Sequence, residues 1–154
     1  MEEKLGIKGW FILKHIRNGI ILDERVINNL VVSAGLAQVA GLILTDVGGT
    51  AFDYIALGTG TTAAVAGDTA LETEITSGGG SRISGTGTRT TTSVTNDTAQ
   101  LVVNYTFTST FALTESGIFN ASSAGTMLSR QVFAAVNVKL GDVLQITWKI
   151  QLST

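Results

Sequence analysis

The stretch "VLQITWKIQL", residues 143–152, alternates without interruption. Leu144, Ile146, Trp148, Ile150 and Leu152 share one parity, and Gln145, Thr147, Lys149 and Gln151 the other. Successive side chains of a strand point to opposite faces, so this is the pattern of a strand with one face buried and one face wet. Residues 99–108 repeat it. Leu101, Val103, Tyr105 and Phe107 fall on one face, and Gln100, Asn104, Thr106 and Thr108, with Val102, on the other. Thr-rich Ile83 to Val94, Ile118-Phe119 and Met127 to Phe133 add strands, and Asn137 to Asp142 reads as a turn. Gly6 to Val26 reads as a hairpin, in which Trp10, Ile12 and Lys14 alternate with Phe11, Leu13 and His15. Its turn is Asn18-Gly19, two residues that tolerate the positive φ of a type I′ turn. Seven or more short strands predict a mainly β protein, an antiparallel sandwich or barrel-like domain.

Between Asn28 and Leu44 the period changes. Val32, Leu36, Val39, Ala40 and Ile43 fall at helical spacing, Ser33 is a candidate N-cap, and Gly48-Gly49 lies beyond the end. One helix, about residues 34–44, is expected after the hairpin, with its apolar face in the core. A second, short helical turn is expected at Thr69 to Ile75, capped by Asp68. The 154 residues fit one β-rich domain, 9–154, behind an N-terminal arm, 1–8. No internal repeat is visible.

Composition narrows the function. Charged residues make up 14% of the chain, against about 25% in typical soluble proteins. The net charge of -2 lacks the basic stripe of a nucleic-acid binder. There are no cysteines, which removes disulfides, thiol nucleophiles and thiolate metal sites. The longest apolar stretch, Leu30 to Leu44, is broken by Ser33, Gly35, Gln38 and Gly41 and is too short to span a bilayer. The N-terminus opens on two acids and lacks a signal-peptide core, so a soluble protein made in the cytoplasm is expected.

Tyr54 to Ile75, "YIALGTGTTAAVAGDTALETEI", invites a search for a phosphate-binding loop. A P-loop needs a lysine, and none occurs from Val47 to Ser81. A dinucleotide fingerprint needs a third glycine, where Gly58-Thr59-Gly60-Thr61-Thr62 is followed by Ala63. The glycines are better suited to ending a strand and turning sharply. His15, the lone histidine, reads as a surface or interface residue. Glu72 and Glu74, bracketing Thr73, are a weak metal signal. Glu115 reads as a structural ion-pair partner of Arg82, Arg89 or Arg130 rather than as a general acid. No catalytic, cofactor or metal site is assigned, and no cofactor is expected.

The order of motifs is more specific than any one of them. They are Asn29-Leu-Val-Val-Ser-Ala-Gly-Leu36, Tyr54-Ile-Ala-Leu-Gly-Thr-Gly-Thr-Thr62, Asp68-Thr-Ala-Leu-Glu-Thr-Glu-Ile75, Glu115-Ser-Gly-Ile-Phe-Asn120, Gly125-Thr-Met-Leu-Ser-Arg130 and Gly141-Asp-Val-Leu-Gln-Ile-Thr-Trp148. From about Gly9 to Leu152 the chain resembles a group of small tailed-bacteriophage virion structural proteins, described as capsid decoration or tail-fibre-like.

The resemblance implies a non-enzymatic virion protein, most simply a capsid decoration, or cement, protein stabilising the head through subunit contacts. Its implied partners are copies of itself, as a homo-oligomer with a trimer as default, and the major capsid protein, with neither nucleic acid nor membrane. It implies the capsid surface ahead of the tail. A tail-tip or tail-fibre-associated module in host adsorption is the alternative, and a virion-associated hydrolase is the weakest. Loop position and low charge mark Trp10, Gly58, Thr59, Gly60, Thr61, Thr62 and Val65 as possible interface residues, with Gly58 to Gly67 lying against a neighbouring subunit or the shell.

Overall fold

Asn18 and Gly19 have φ of 50° and 76°, both in the left-handed region that a type I′ hairpin requires. They join β1 (Gly6–Arg17) to β2 (Ile20–Asn28). The computed structural model describes residues 6–43 and 48–153. The remaining elements are β3 (Leu30–Val31), α1 (Ser33–Ile43), β4 (Tyr54–Gly58), β5 (Ile83–Ser84), β6 (Thr86–Thr90), β7 (Thr98–Thr106), β8 (Phe111–Phe119), β9 (Met127–Val138) and β10 (Val143–Ser153). The strands form two antiparallel sheets of five, ordered β2-β1-β10-β7-β6 and β3-β9-β8-β4-β5. We call them sheet A and sheet B. The expected mainly β, sandwich-like architecture is what the chain adopts.

The period-2 faces identified above build the core. Phe11 and Leu13 of β1, Leu101, Val103 and Tyr105 of β7, and Leu144, Ile146 and Trp148 of β10 are buried between the sheets. Phe11 stacks on Phe133 of sheet B at 5.0 Å and meets Trp148 at 5.2 Å. Each such pair contributes about 0.5–1.5 kcal/mol beyond its area burial. The Tyr105 hydroxyl crosses the sandwich to donate to the Ile55 carbonyl at 2.6 Å.

Sheet B is covered on both faces. Ile55 and Leu57 of β4 face the main core, while Ala56 joins Val32, Leu71, Phe119 and Met127 in a second cluster. Leu71 belongs to the long connection between β4 and β5, which lies over sheet B as a strap. A strand buried on both faces reads as a continuous apolar run, which explains Tyr54-Ile55-Ala56-Leu57.

Several local expectations are corrected. Residues 69–75 form no helical turn. Glu74 instead bridges to Gly58, because the Thr59 N–H donates to the Thr73 carbonyl and the Ile75 N–H to that of Leu57, each at 2.9 Å. Asp68 accepts the Val65 N–H and so closes a turn rather than capping a helix. Ile83 to Val94 is two short strands and a turn, since Asp97 gathers the N–H groups of Thr92, Ser93 and Val94. The helix starts at Ser33, whose N–H donates to Ala66; Leu44, its expected end, lies outside the described residues. The helix packs through Val32 just before it and through Gly35, where a Cβ would lie 2.6 Å from the Leu128 Cα; Leu36, Ala40 and Ile43 are exposed. Of the expected arm, residues 1–5 lie outside the described residues, and Gly6 to Lys8 pair with Ser153, Leu152 and Gln151 in β1.

Candidate functional site

Glu115 explains the glycine-rich stretch. It sits on β8 facing the strap, beside a register shift between Leu113 and Glu115, and is fully buried. Oε1 accepts the N–H groups of Gly60 at 3.0 Å and Thr73 at 2.7 Å, and Oε2 accepts that of Glu72 at 3.0 Å. Arg130, adjacent on β9, donates from Nε and Nη2 to the same Oε2 at 3.0 and 2.8 Å. Its Nη1 reaches Asp68 at 2.8 Å. Burial alone would push the Asp68 carboxyl up, but the Val65 N–H and Arg130 outweigh it and hold it below its ordinary value. The Arg130 guanidinium is raised, Asp68 and Glu115 prevailing over burial.

The backbone N–H groups that could have cradled a phosphate therefore bind an internal carboxylate. Glycine is needed at 58 and 60 for close approach. A Cβ on Gly58 would meet the Glu115 carboxylate and lie 2.6 Å from the Thr73 carbonyl, and one on Gly60 would meet Glu72 and Glu115. Glu72 and Glu74, paired in the sequence as a metal signal, diverge. Glu72 accepts from the Thr62 N–H and hydroxyl, and Glu74 forms a bidentate pair with Arg82 at 2.9 and 2.7 Å. Arg82 lies 3.7 Å over the Phe119 ring and donates to the carbonyls of Ala121 and Ala124, tying the strap's end to the β8–β9 turn.

His15 corrects the expectation of a surface residue: it is buried, with Nε2 2.8 Å from Asp142 Oδ2. Arg17 grips the same carboxylate through Nε and Nη2, each at 2.8 Å, and the Lys139 N–H adds a bond at 3.0 Å. Arg17 first, then His15 and the Lys139 N–H against the opposing effect of burial, hold the Asp142 carboxyl well below the usual range. The signal was in the sequence, since His15 shares its parity with Phe11 and Leu13.

The proposed interface residues divide. Gly58 and Gly60 are buried within the chain, Thr59 is half-buried, and Thr61, Thr62 and Val65 are exposed on the strap. Trp10, half-buried on β1, borders a cleft of about 870 Å³ beside α1, far along the chain from the strap. Sequence reasoning missed the exposed apolar residues of the hairpin, Ile20, Ile21, Leu22 and Val26, and Leu140 in the β9–β10 turn. Among the described residues, no helix is long and apolar enough to cross a membrane. Neither protein-family models, nor curated proteins, nor solved structures provide a match to the chain.

Proposed function

We propose that this protein is a non-enzymatic structural component of a phage virion, a capsid decoration protein that acts by association with copies of itself and with the major capsid protein. The motif order supports the virion part of this reading. The observation that carries the association part is the apolar end of the sandwich. Ile20 is 65% exposed and Leu140 is 72% exposed, on two turns joined by the Arg17–Asp142 pair. Ile21 and Leu22, the next residues of the hairpin, are exposed as well. Contiguous exposed apolar residues rimmed by polar groups mark protein contact surfaces. Many modest contacts of this kind, summed over repeated copies on a shell, stabilise it by multivalency.

The test uses virion heads with and without the protein. Heads lacking it should lose heat resistance, regain it when wild-type protein is added, and fail to regain it with an Ile20→Glu, Leu140→Glu double variant that remains folded by circular dichroism. Heads equally robust without the protein would end the cement reading. Immunogold label at the tail end would move the assignment to a tail-tip module.

A further inference from the structure

We propose that the free edge of β2 pairs antiparallel with the β2 edge of a second copy, about a two-fold axis at Val26, to make one continuous ten-stranded sheet. The inference uses only the edge geometry and does not depend on the virion assignment.

β2 is the first strand of sheet A, so among the described residues one side of its backbone has no strand partner. The Asn29 N–H donates to the Gly9 carbonyl at 3.1 Å. Hydrogen-bonded and non-hydrogen-bonded pairs alternate in an antiparallel ladder. Ile27 and Arg25 therefore bond inward to Phe11 and Leu13, their register partners, while Asn28, Val26 and Glu24, opposite Trp10, Ile12 and Lys14, turn their N–H and C=O groups outward. An identical strand running the other way satisfies all three residues when Val26 faces Val26 and Glu24 faces Asn28.

Side chains favour the same register. On the outer face of sheet A, Thr86, Val102, Thr147, Ile12 and Val26 stand directly opposite one another from strand to strand. All five are β-branched, the type that packs best across a pleated surface. The row stops at Val26, 65% exposed on the open edge. In the paired sheet it runs on through the second copy. Beside it, Glu24 of one copy stands between its own Lys14, 3.7 Å away, and the partner copy's carboxamide at position 28.

Natural edges are guarded by charge, proline or bulges. Here the charges are neutralised within the monomer, Asp23 by Arg25 and Glu24 by Lys14, and the chain has no proline. The one guard is the register shift between His15 and Ile16, which leaves Leu22 unpaired and confines the ladder to Glu24 through Asn28. So short a ladder buries less than the about 1,200 Å² of a standard interface, and the dimer is expected to be concentration-dependent.

The absence of cysteine makes the register directly testable. In a hydrogen-bonded pair the Cα atoms lie about 5.5 Å apart, within the about 4.4–6.8 Å that a disulfide spans. The full chain carrying Val26→Cys should form a covalent dimer under mild oxidation at least about ten-fold faster than Val94→Cys, a comparably open position in the turn before β7, because pairing raises the local thiol concentration. Glu24→Cys, facing position 28, should crosslink like the control. Light scattering at rising protein concentration should show a monomer–dimer equilibrium for the wild type and a monomer throughout for a folded Val26→Lys variant. Crosslinking of Val26→Cys no faster than that of Val94→Cys, a wild type monomeric at every concentration tested, or a trimer unaffected by Val26→Lys would overturn the proposal. None of these results bears on whether the protein sits on a virion, which the head experiments read separately.

Discussion

Arg130 and Glu115, neighbours on β9 and β8, form a buried ion pair in which Nε and Nη2 converge on Oε2, and the carboxylate also receives three backbone N–H groups from the strap. Removing one member leaves the other buried without its ion-pair partner, held only by the strap N–H groups on Glu115 or by Asp68 on Arg130. Glu115→Ala and Arg130→Ala are each expected to cost about 3–5 kcal/mol in urea unfolding. The double variant Glu115→Leu, Arg130→Met should cost less than the two singles together, because neither member of the pair is left buried without the other, although Asp68 and the strap N–H groups still lose their partners.

The strap's close approach gives a second expectation. Gly60→Ala drives a methyl group into Glu72 and the Glu115 carboxylate, an overpacking that costs about 1–3 kcal/mol. A Cβ on Gly67 meets nothing within 4 Å, so Gly67→Ala should change stability by less than about 0.5 kcal/mol. Hydrogen exchange at the amides of Gly60, Glu72 and Thr73 separates local release of the strap from global unfolding. In Gly60→Ala those three amides should exchange faster than the amides of β10.

The acid limb of stability follows from Asp142 and Asp68, both depressed in the folded state. Between the unfolded carboxylate value, about 3.9, and the lower folded one, the unfolded chain binds protons that the folded chain does not. Their contribution is therefore complete above the unfolded value and is lost as pH falls through the folded one. Urea midpoints should hold steady from neutral pH down to about 5 and then fall. Asp142→Asn should lower the midpoint at pH 7 and flatten that fall.

Tyr105→Phe tests the hydrogen bond between the sheets. The change keeps the ring and removes the donor to the Ile55 carbonyl, at an expected cost of about 1–3 kcal/mol by chemical denaturation. Burial raises the Tyr105 phenol far above its ordinary value, so one of the two tyrosines should resist ionisation in an alkaline titration until the protein unfolds.

The strands were legible wherever one face is wet. Residues 143–152 and 99–108 alternate because solvent and core impose opposite demands on neighbouring positions. The strap was not legible, because Gly60, Glu72 and Thr73 are ordered by a carboxylate 42–55 residues away and no local pattern records such a bond. Glu115 was legible as an ion-pair partner, and Arg130 stood among its three candidates. The apolar spacing of α1 suggested a core face, yet Leu36 and Ile43 point outward, since period reports a stripe without saying what covers it. The exposure of Val26 depends on which strand ends the sheet, a fact of topology rather than of sequence.

Sheet B is dressed on its outer face by a segment that holds on only through distant partners. Until β4, β8 and β9 have paired, Leu71 has no surface to cover and the strap amides have no carboxylate to meet. We expect closure of the strap after the rate-limiting step of folding, and its release before that of unfolding, with low φ-values at Gly60 and Leu71 as the check. Interactions formed that late slow unfolding without hastening folding. A tightened strap would thus lengthen the lifetime of the folded molecule and leave the rate of its formation unchanged.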